Sequence, residues 1–137
     1  MAENSVVKEQ LTDAMVDVGA ELTAKLDELG LSVTAALWIF MPELNEWRLL
    51  FASPEVASEG SRRVYGRIRE AIEQIKEGAA AASLSLANIS LVDADADLIR
   101  LLKLATRTGP GVINHIRFTK NVINGHFIDD ALIYRVA

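Results

Sequence analysis

The sequence lacks cysteine and contains only two histidines. Without cysteine the chain has no disulfide bonds, no thiolate nucleophile and no cysteine-ligated metal. Long hydrophobic runs are also missing, because the longest, residues 35–41, is far shorter than the roughly twenty residues of a membrane-spanning helix. The polar start MAENSVVKEQ has no apolar stretch of the kind found in secretory signals. We therefore expect a cytoplasmic protein that does not bind membranes.

Positive charge is not in excess either, since the formal net charge at pH 7 is −5. The chain as a whole has no attraction to phosphate backbones, and we expect no nucleic-acid partner. What the sequence does have is the composition of a folded protein: 137 residues, of which 50% are hydrophobic and 24% charged. A chain of this size buries one core, so we expect residues 1–137 to form a single domain.

The first predicted element is a long helix. Apolar residues recur every three or four positions from Val7 to Leu29, which predicts a helix of about 25 residues with a cap at Asn4 or Ser5. Gly30 ends it. A helix of this length would extend beyond its own sheet and offer a surface to a second chain.

Two β-rich segments, residues 31–41 and 47–53, predict a hairpin whose turn follows Pro42. The first of these strands is apolar on both faces. This pattern indicates a strand that is central in the sheet or covered on both sides.

The middle of the chain predicts further helices and one strand. Ser53 and Pro54 have the form of a helix start, while Gly60 allows either one irregular helix or a short turn and a second start at Ser61. Residues 78–88 stay unassigned, because alanine favours a helix while serine and asparagine favour turns.

A short strand at residues 89–92 and a helix at residues 97–108 follow, with Gly109, Pro110 and Gly111 ending the helix. Together with a final hairpin, the element order is α-ββ-α-β-α-ββ. We therefore expect an α+β fold with about five strands in a mostly antiparallel sheet and three main helices.

The C-terminal hairpin is predicted to turn at Asn124-Gly125, because a type I′ turn needs positive φ at both central residues. The resulting register pairs Val122 with Phe127. One face then collects apolar side chains and is expected to point to the core; it comprises Ile116, Phe118, Val122, Phe127, Ala131 and Ile133, and is interrupted by Lys120 opposite Asp129.

Catalytic and metal-binding residues are scarce. Asp129 and Asp130 are adjacent on a strand, so they should point to opposite sides of the sheet unless a bulge intervenes. His115 and His126 should lie roughly 26 Å apart along the hairpin. We therefore expect neither a cofactor nor a bound metal.

The acidic run at residues 93–97 begins like a calcium loop. The glycine and glutamate positions that such a loop requires are occupied by Leu98 and Leu104. Helix capping by these aspartates explains the run better.

Four residues are candidate ligand contacts. Trp38 and Phe40 lie on the face of their strand opposite to Leu37 and Ile39 and could line a cavity or an interface. Arg63 and Arg67 form an i, i+4 pair within the basic patch at residues 62–69, which suits a phosphate or an acidic partner. The alternative interpretations are core packing for the aromatic residues and a solvated helix face for the arginines.

The order of elements resembles that of small sensory domains of the GAF type, which also open with a helix and a hairpin and use a later glycine-turned hairpin. The resemblance implies small-ligand sensing, and no functional residue is carried over from it. We expect a regulatory or protein-interaction module that acts as a homodimer. The alternatives are a ligand-binding sensory domain and a hydrolytic enzyme that uses His115, His126 or Asp130.

Overall fold

The chain folds into a mixed five-stranded sheet with helices on both faces. The computed structural model describes residues 7–75 and 84–137. The elements are α1 (Asp13–Glu28), β1 (Ala35–Met41), β2 (Glu46–Ser53), α2 (Glu55–Glu59), α3 (Ser61–Ile75), a 3-10 turn (Leu86–Asn88), β3 (Ile89–Asp93), α4 (Asp97–Ala105), β4 (Ile116–Ile123) and β5 (His126–Val136). The predicted α+β fold, with three substantial helices and a C-terminal hairpin, is confirmed. Within the described ranges, no helix is long and apolar enough to cross a membrane.

The strand order in the sheet is β3-β2-β1-β5-β4. Neighbouring strands are antiparallel except for β2 and β3, which are parallel. The first hairpin strand, β1, therefore lies in the centre, and the prediction that both of its faces are buried is confirmed. Its odd-numbered side chains face one core and its even-numbered side chains face the other, as Leu37 and Trp38 illustrate.

Each face of the sheet is covered by different helices. The amphipathic helices α1 and α3 cover one face, where their buried residues include Leu22 and Ile68. On the other face, α4 is the one helix of the described residues that packs against the sheet, through Ile99 and Leu102. Because α4 has nine residues, it is about 13 Å long, whereas the eleven residues of β5 extend over roughly 36 Å. Within residues 7–75 and 84–137, helix therefore covers only part of the second face.

The predicted start of α1 was wrong. The helix begins at Asp13, and its N-cap is Thr12, whose side chain accepts a hydrogen bond from the backbone N–H of Met15 (3.1 Å). Asn4 and Ser5, the predicted caps, lie outside the described residues. The end of the helix at Gly30 is confirmed, since Gly30 has a φ of 84°.

Residues 7–12, which we call the N-terminal segment, lie against the first hairpin in a non-helical conformation. The side chain of Asn45 accepts a hydrogen bond from Glu9 N (3.0 Å) and donates one to Val7 O (3.1 Å). The indole of Trp47 donates to Glu9 O (2.9 Å). These side chains satisfy the backbone groups that a longer helix would have paired internally, so the helix begins later than its apolar spacing predicts.

Gly60 separates α2 from α3. Of the two alternatives predicted for this region, the structure shows the one with a second helix start at Ser61. The φ of 91° at Gly60 ends α2, and α3 starts afresh at Ser61. Helix α2 starts at Glu55 with Pro54 as its N-cap, one residue later than predicted, and Ser53 accepts a hydrogen bond from the backbone N–H of Glu55 (3.1 Å). The unassigned residues 78–88 are described only from residue 84 onward.

Helix α4 ends at Ala105, earlier than predicted. After Thr106 the chain is extended, and Thr108 N donates to Val136 O at the end of β5 (2.7 Å). Pairing with the end of the sheet therefore replaces the last predicted turn of helix.

The C-terminal hairpin has the predicted turn and register but not the predicted faces. Asn124 and Gly125 have φ values of 48° and 81°, and Val122 pairs with Phe127. Lys120, however, also has positive φ (49°), and the alternation of side chains changes there. As a result Val122 and Phe127 are exposed, and the prediction that they face the core was wrong. Their neighbours Ile123 and Ile128 are buried instead, in the core on the α4 side of the sheet. The other buried or partly buried hairpin residues in that core are Ile116, Phe118, Ala131, Ile133 and Val136.

Candidate functional site

A groove of about 790 Å³ lies between α4 and the part of the sheet that α4 leaves uncovered. Its apolar walls come from both elements. Ile39 and Ile128 belong to the sheet, and Leu98, Leu101 and Leu104 belong to α4. In the sequence DLIRLLKLA these three leucines recur at intervals of three along one side of α4. Leu98 and Leu101 also pack against the core, whereas Leu104 stays exposed.

Two large apolar side chains of the groove remain in water. Leu104 is 67% exposed and Phe127 is 59% exposed, although both line the same concavity. Phe127 reaches this position because the irregularity at Lys120 turns it away from the core. An apolar ligand in the groove would remove both side chains from solvent.

The polar groups of the groove are few and are mostly charged. The carboxylates belong to Glu43, Asp97 and Asp129, and the other groups belong to Arg100, Asn124 and His126. An apolar cavity with a small number of polar groups is the usual character of a small-molecule site.

Next to this groove, the N-terminal segment brings an ammonium to two adjacent carboxylates. Lys8 Nζ lies 2.7 Å from Asp129 Oδ2 and 3.1 Å from Asp130 Oδ2. The expectation that Asp129 and Asp130 point to opposite sides of the sheet was therefore wrong. Ile128 and Ala131 both belong to the core on the α4 side. In a regular strand one residue would lie between two such inward side chains, but here both Asp129 and Asp130 lie between them. Both aspartates therefore point away from that core.

Asp130 is the more strongly held of the two acids. Arg117 binds it with two hydrogen bonds, Nε to Oδ1 (2.6 Å) and Nη2 to Oδ2 (2.8 Å). Burial alone would raise the pKa of Asp130, but the hydrogen bonds from Arg117 and Lys8 outweigh it and hold this pKa below its ordinary value. The hydrogen bond to Asp129, opposed by burial and helped by Asp130, raises the pKa of Lys8.

Two aromatic rings complete this cluster. The ammonium of Lys8 lies 4.6 Å from the ring centre of Phe40, and the guanidinium of Arg117 lies 5.6 Å from that of Trp47. Both distances are within the range of cation–π attraction. A second cavity of about 350 Å³ adjoins the cluster and is lined by Lys8, Glu9, Gln10, Leu11, Trp47, Arg117 and Asp130.

The structure does not gather the four predicted ligand residues into one site. Trp38 donates to Met15 O (3.1 Å) and to the hydroxyl of Tyr134 (3.0 Å), whereas Arg67 donates to Leu29 O (2.9 Å). Met15 and Leu29 are about 21 Å apart along α1. Trp38 and the arginine patch therefore lie near opposite ends of that helix.

The remaining two predicted residues also have local partners. Arg63 is exposed and forms an ion pair with Glu59 (3.0 Å). Phe40 packs its ring against Trp47, with 5.4 Å between ring centres, and is also one of the residues that line the groove. Of the four candidates, only Phe40 reaches the groove.

The two histidines lie apart, as the sequence indicated. The ring of His115 packs edge-on against Tyr134, with 5.7 Å between centres. His126 lies at the turn, where its Nδ1 is 3.1 Å from Asn124 O, and it lines the groove. Among residues 7–75 and 84–137, no three histidine, aspartate or glutamate side chains are placed to hold a metal ion.

Comparison with family models, curated proteins and solved structures gives no match for this chain. The resemblance to GAF-type domains therefore concerns the order of elements alone. The functional interpretation below depends on the chain's own geometry.

Proposed function

We propose that this protein binds a small, largely apolar ligand in the groove between α4 and the sheet. The observation that carries this proposal is the size and lining of the groove. Its volume of about 790 Å³ falls within the range of about 300–1,000 Å³ that is typical of small-molecule sites. The ligand-binding alternative that the sequence left open is therefore the one best supported by the geometry.

The exposure of Leu104 and Phe127 supports the same function. Removing apolar surface from water contributes about 25 cal/mol per Å². A ligand that covers these two side chains together with Ile128 gains that contribution without any large rearrangement of the fold. Arg100 and His126 also line the groove and supply hydrogen-bonding groups that can orient the ligand.

Titration with a neutral fluorescent probe, N-phenyl-1-naphthylamine, tests the proposal. We expect saturable binding with an increase in fluorescence. Leu104→Ser and Phe127→Ser should each weaken binding by roughly threefold to tenfold, because each removes about 1 kcal/mol of apolar contact. Both side chains are exposed, so these substitutions should leave the fold intact.

Leu44→Ser is the matched control. Leu44 is 60% exposed but does not line the groove, so its replacement should leave the probe affinity unchanged. Absence of saturable binding to the wild-type protein, or an equal loss in Leu44→Ser and Phe127→Ser, would contradict the proposal.

A second candidate function is the homodimeric interaction module predicted from the sequence. The observation that favours it is the pairing of Val122 with Phe127 on the outer hairpin of the sheet. Both are large, exposed and apolar, with Val122 66% exposed, and exposed apolar patches are common at protein interfaces. The predicted long first helix offers no support, since α1 begins only at Asp13.

Sedimentation equilibrium at high micromolar concentration tests this second candidate. A dimer that Val122→Ser weakens, together with unchanged probe binding in that variant, would support it as a function separate from the groove. A strict monomer at these concentrations would exclude it.

A further inference from the structure

We infer that the N-terminal segment occupies, within its own chain, a docking site for a partner protein that offers a short, non-helical peptide with a lysine. Binding of that peptide displaces the segment. The floor of the site is formed by Phe40 and Trp47, which belong to the core on the α1 and α3 side of the sheet. The inference therefore does not depend on the function proposed for the groove beside α4.

The first hairpin holds the segment by its main chain. The side-chain amide of Asn45 accepts a hydrogen bond from Glu9 N (3.0 Å) and donates one to Val7 O (3.1 Å). The indole of Trp47 donates to Glu9 O (2.9 Å). Because these three bonds use only backbone groups of the segment, a peptide of another sequence can make them as well. Main-chain hydrogen bonds of this kind supply affinity in peptide recognition, and side-chain pockets supply specificity.

The side-chain position next to these bonds selects an ammonium. Lys8 Nζ lies 2.7 Å from Asp129 Oδ2, 3.1 Å from Asp130 Oδ2 and 4.6 Å from the ring centre of Phe40. Carboxylates and the faces of aromatic rings are the groups that attract ammonium ions in proteins. Leu11, three residues after Lys8, packs partly buried against the core. The segment thus shows the chemistry of the partner peptide: a lysine followed three residues later by an apolar side chain.

The segment leaves part of this site unfilled. The cavity of about 350 Å³ lies between the segment, from Lys8 to Leu11, and the side chains of Trp47, Arg117 and Asp130. A partner peptide with larger side chains at the positions of Glu9 and Gln10 can fill this space. Such a peptide gains contacts with the indole and the guanidinium that the segment does not make.

The ion pairs of Lys8 do not prevent displacement. The Lys8 side chain is 41% exposed, and ion pairs with such exposure are weak. Asp130 does not depend on Lys8 for charge compensation, because Arg117 binds it through both oxygens. An incoming lysine replaces Lys8 at the two carboxylates without leaving a buried charge unpaired.

The displaced segment has a second conformation available to it. Val7 and Leu11 continue the apolar stripe of α1 at four-residue spacing to Met15, a pattern that favours a longer helix once the contacts with the hairpin are lost. Helix formation offsets part of the cost of release. Since the segment is joined to α1, it competes at an effective concentration of roughly millimolar, so a partner peptide must fit better than the segment does.

Nuclear magnetic resonance of the ¹⁵N-labelled whole chain tests the inference, with the acetylated and amidated peptide VKEQLT as the probe. The chain has two tryptophans and hence two indole N–H signals. That of Trp47 reports on the site, whereas that of Trp38 donates to Met15 O and to the hydroxyl of Tyr134 in the core. At millimolar peptide we expect a saturable shift of the Trp47 signal and of the Glu9 amide signal, with the Trp38 signal unchanged.

Two variants separate competition by the segment from a change of charge. Lys8→Gln weakens the hold of the segment, so the half-saturating peptide concentration should fall by about threefold to fivefold. Lys25→Gln is the matched control. It makes the same change of charge and also removes an ion pair, that of Lys25 with Glu28 (3.2 Å) at the other end of α1, and it should leave peptide binding as in the wild type.

Two further comparisons use the Lys8→Gln chain and examine the site itself. The peptide VQEQLT, with glutamine in place of its lysine, should bind roughly threefold more weakly than VKEQLT. Asn45→Gly, added to the Lys8→Gln chain, removes the amide and tolerates the positive φ of 48° at this position. It should weaken VKEQLT binding by roughly threefold or more, because two main-chain hydrogen bonds are lost.

Four outcomes would overturn the inference. The first is no saturable shift of the Trp47 signal in Lys8→Gln at millimolar peptide. The second is a shift of Trp47 while the Glu9 amide stays in place, because the peptide then does not displace the segment. The third is equal binding of the two peptides or an equal gain in Lys25→Gln, which removes the selection for lysine. The fourth is a Trp47 signal that changes with protein concentration alone, which makes the occupant a second copy of this chain.

Discussion

Arg135 and Asp27 form a bidentate ion pair between β5 and α1, with hydrogen bonds of 2.9 and 2.7 Å across 108 residues of sequence. Arg135 is only 1% exposed, and it also donates to the backbone oxygens of Val33 and Val112. One guanidinium thus joins the end of the last strand to the end of the first helix and to two connecting segments.

Replacement of Arg135 by methionine should lower the free energy of unfolding by about 3 kcal/mol, since it leaves buried carbonyl groups and one carboxylate without their donors. This loss of stability is at the lower end of the roughly 3–5 kcal/mol expected for breaking a buried ion pair, because the Asp27 side chain remains 32% exposed. Urea unfolding measures it. Arg63→Met, at an exposed ion pair, should change stability by no more than about 0.5 kcal/mol; equal effects of the two substitutions would refute this role of Arg135.

Gly19 is required for close packing of α1 on the sheet. A Cβ atom at this position would lie 2.6 Å from Trp38 Nε1 and would also clash with the hydroxyl of Tyr134. We expect Gly19→Ala to destabilise the protein by about 1–3 kcal/mol. Gly66→Ala is the contrasting substitution in α3, where a Cβ meets nothing within 4 Å, and it should stabilise by about 0.5–1 kcal/mol. Thermal unfolding of the two variants should therefore show midpoint shifts of opposite sign.

The ionised form of Asp130 stabilises the fold. Its pKa in the folded protein lies below the ordinary value of 3.8, because hydrogen bonds from Arg117 and Lys8 outweigh burial. A lowered folded-state pKa contributes stability that is fully present above the unfolded-state value and is lost as the pH falls through the folded-state value. The stability difference between wild type and Asp130→Asn should be constant near neutral pH and should shrink as the pH falls below 3.8. A difference that does not vary with pH, measured by urea unfolding, would contradict this assignment.

The hairpin turn needs glycine at residue 125, where φ is 81°. We expect Gly125→Ala to destabilise the protein by about 1–2 kcal/mol, because a Cβ disfavours this left-handed conformation. Gly109→Ala serves as the control, since Gly109 is outside the left-handed region. A Cβ atom at Gly109 would lie 3.8 Å from Val112 Cγ1, which is an ordinary van der Waals contact. Comparable losses in the two variants would show that the turn conformation is not the cause.

The parts of the fold that the sequence predicted well are those set by local interactions. Asn124 and Gly125 determine the hairpin turn by their own backbone preferences, and the register of β4 and β5 follows from the turn. The apolar pattern on both sides of β1 likewise identified a strand buried on both faces. Neither inference depends on residues that are distant in sequence.

The parts that were missed depend on distant partners. Asn45 and Trp47 hold the N-terminal segment out of the helix, and no pattern within residues 7–12 indicates it. Residue 120 is a lysine, and positive φ is expected from the sequence mainly at glycine or asparagine, so a regular alternation was assumed. That assumption assigned Phe127 to the core. Most residues of the groove were missed for the same reason, although the leucines that recur every three residues along α4 were a usable signal.

The unusual backbone of Lys120 has a consequence beyond this molecule. β4 forms one edge of the sheet, and a regular, flat edge strand is a template on which other chains assemble into aggregates and fibrils. A lysine in a left-handed conformation in the middle of β4 interrupts that template with a change of side-chain alternation and a charge. The same feature that exposes Phe127 to solvent therefore also opposes ordered self-association of the protein in concentrated solution.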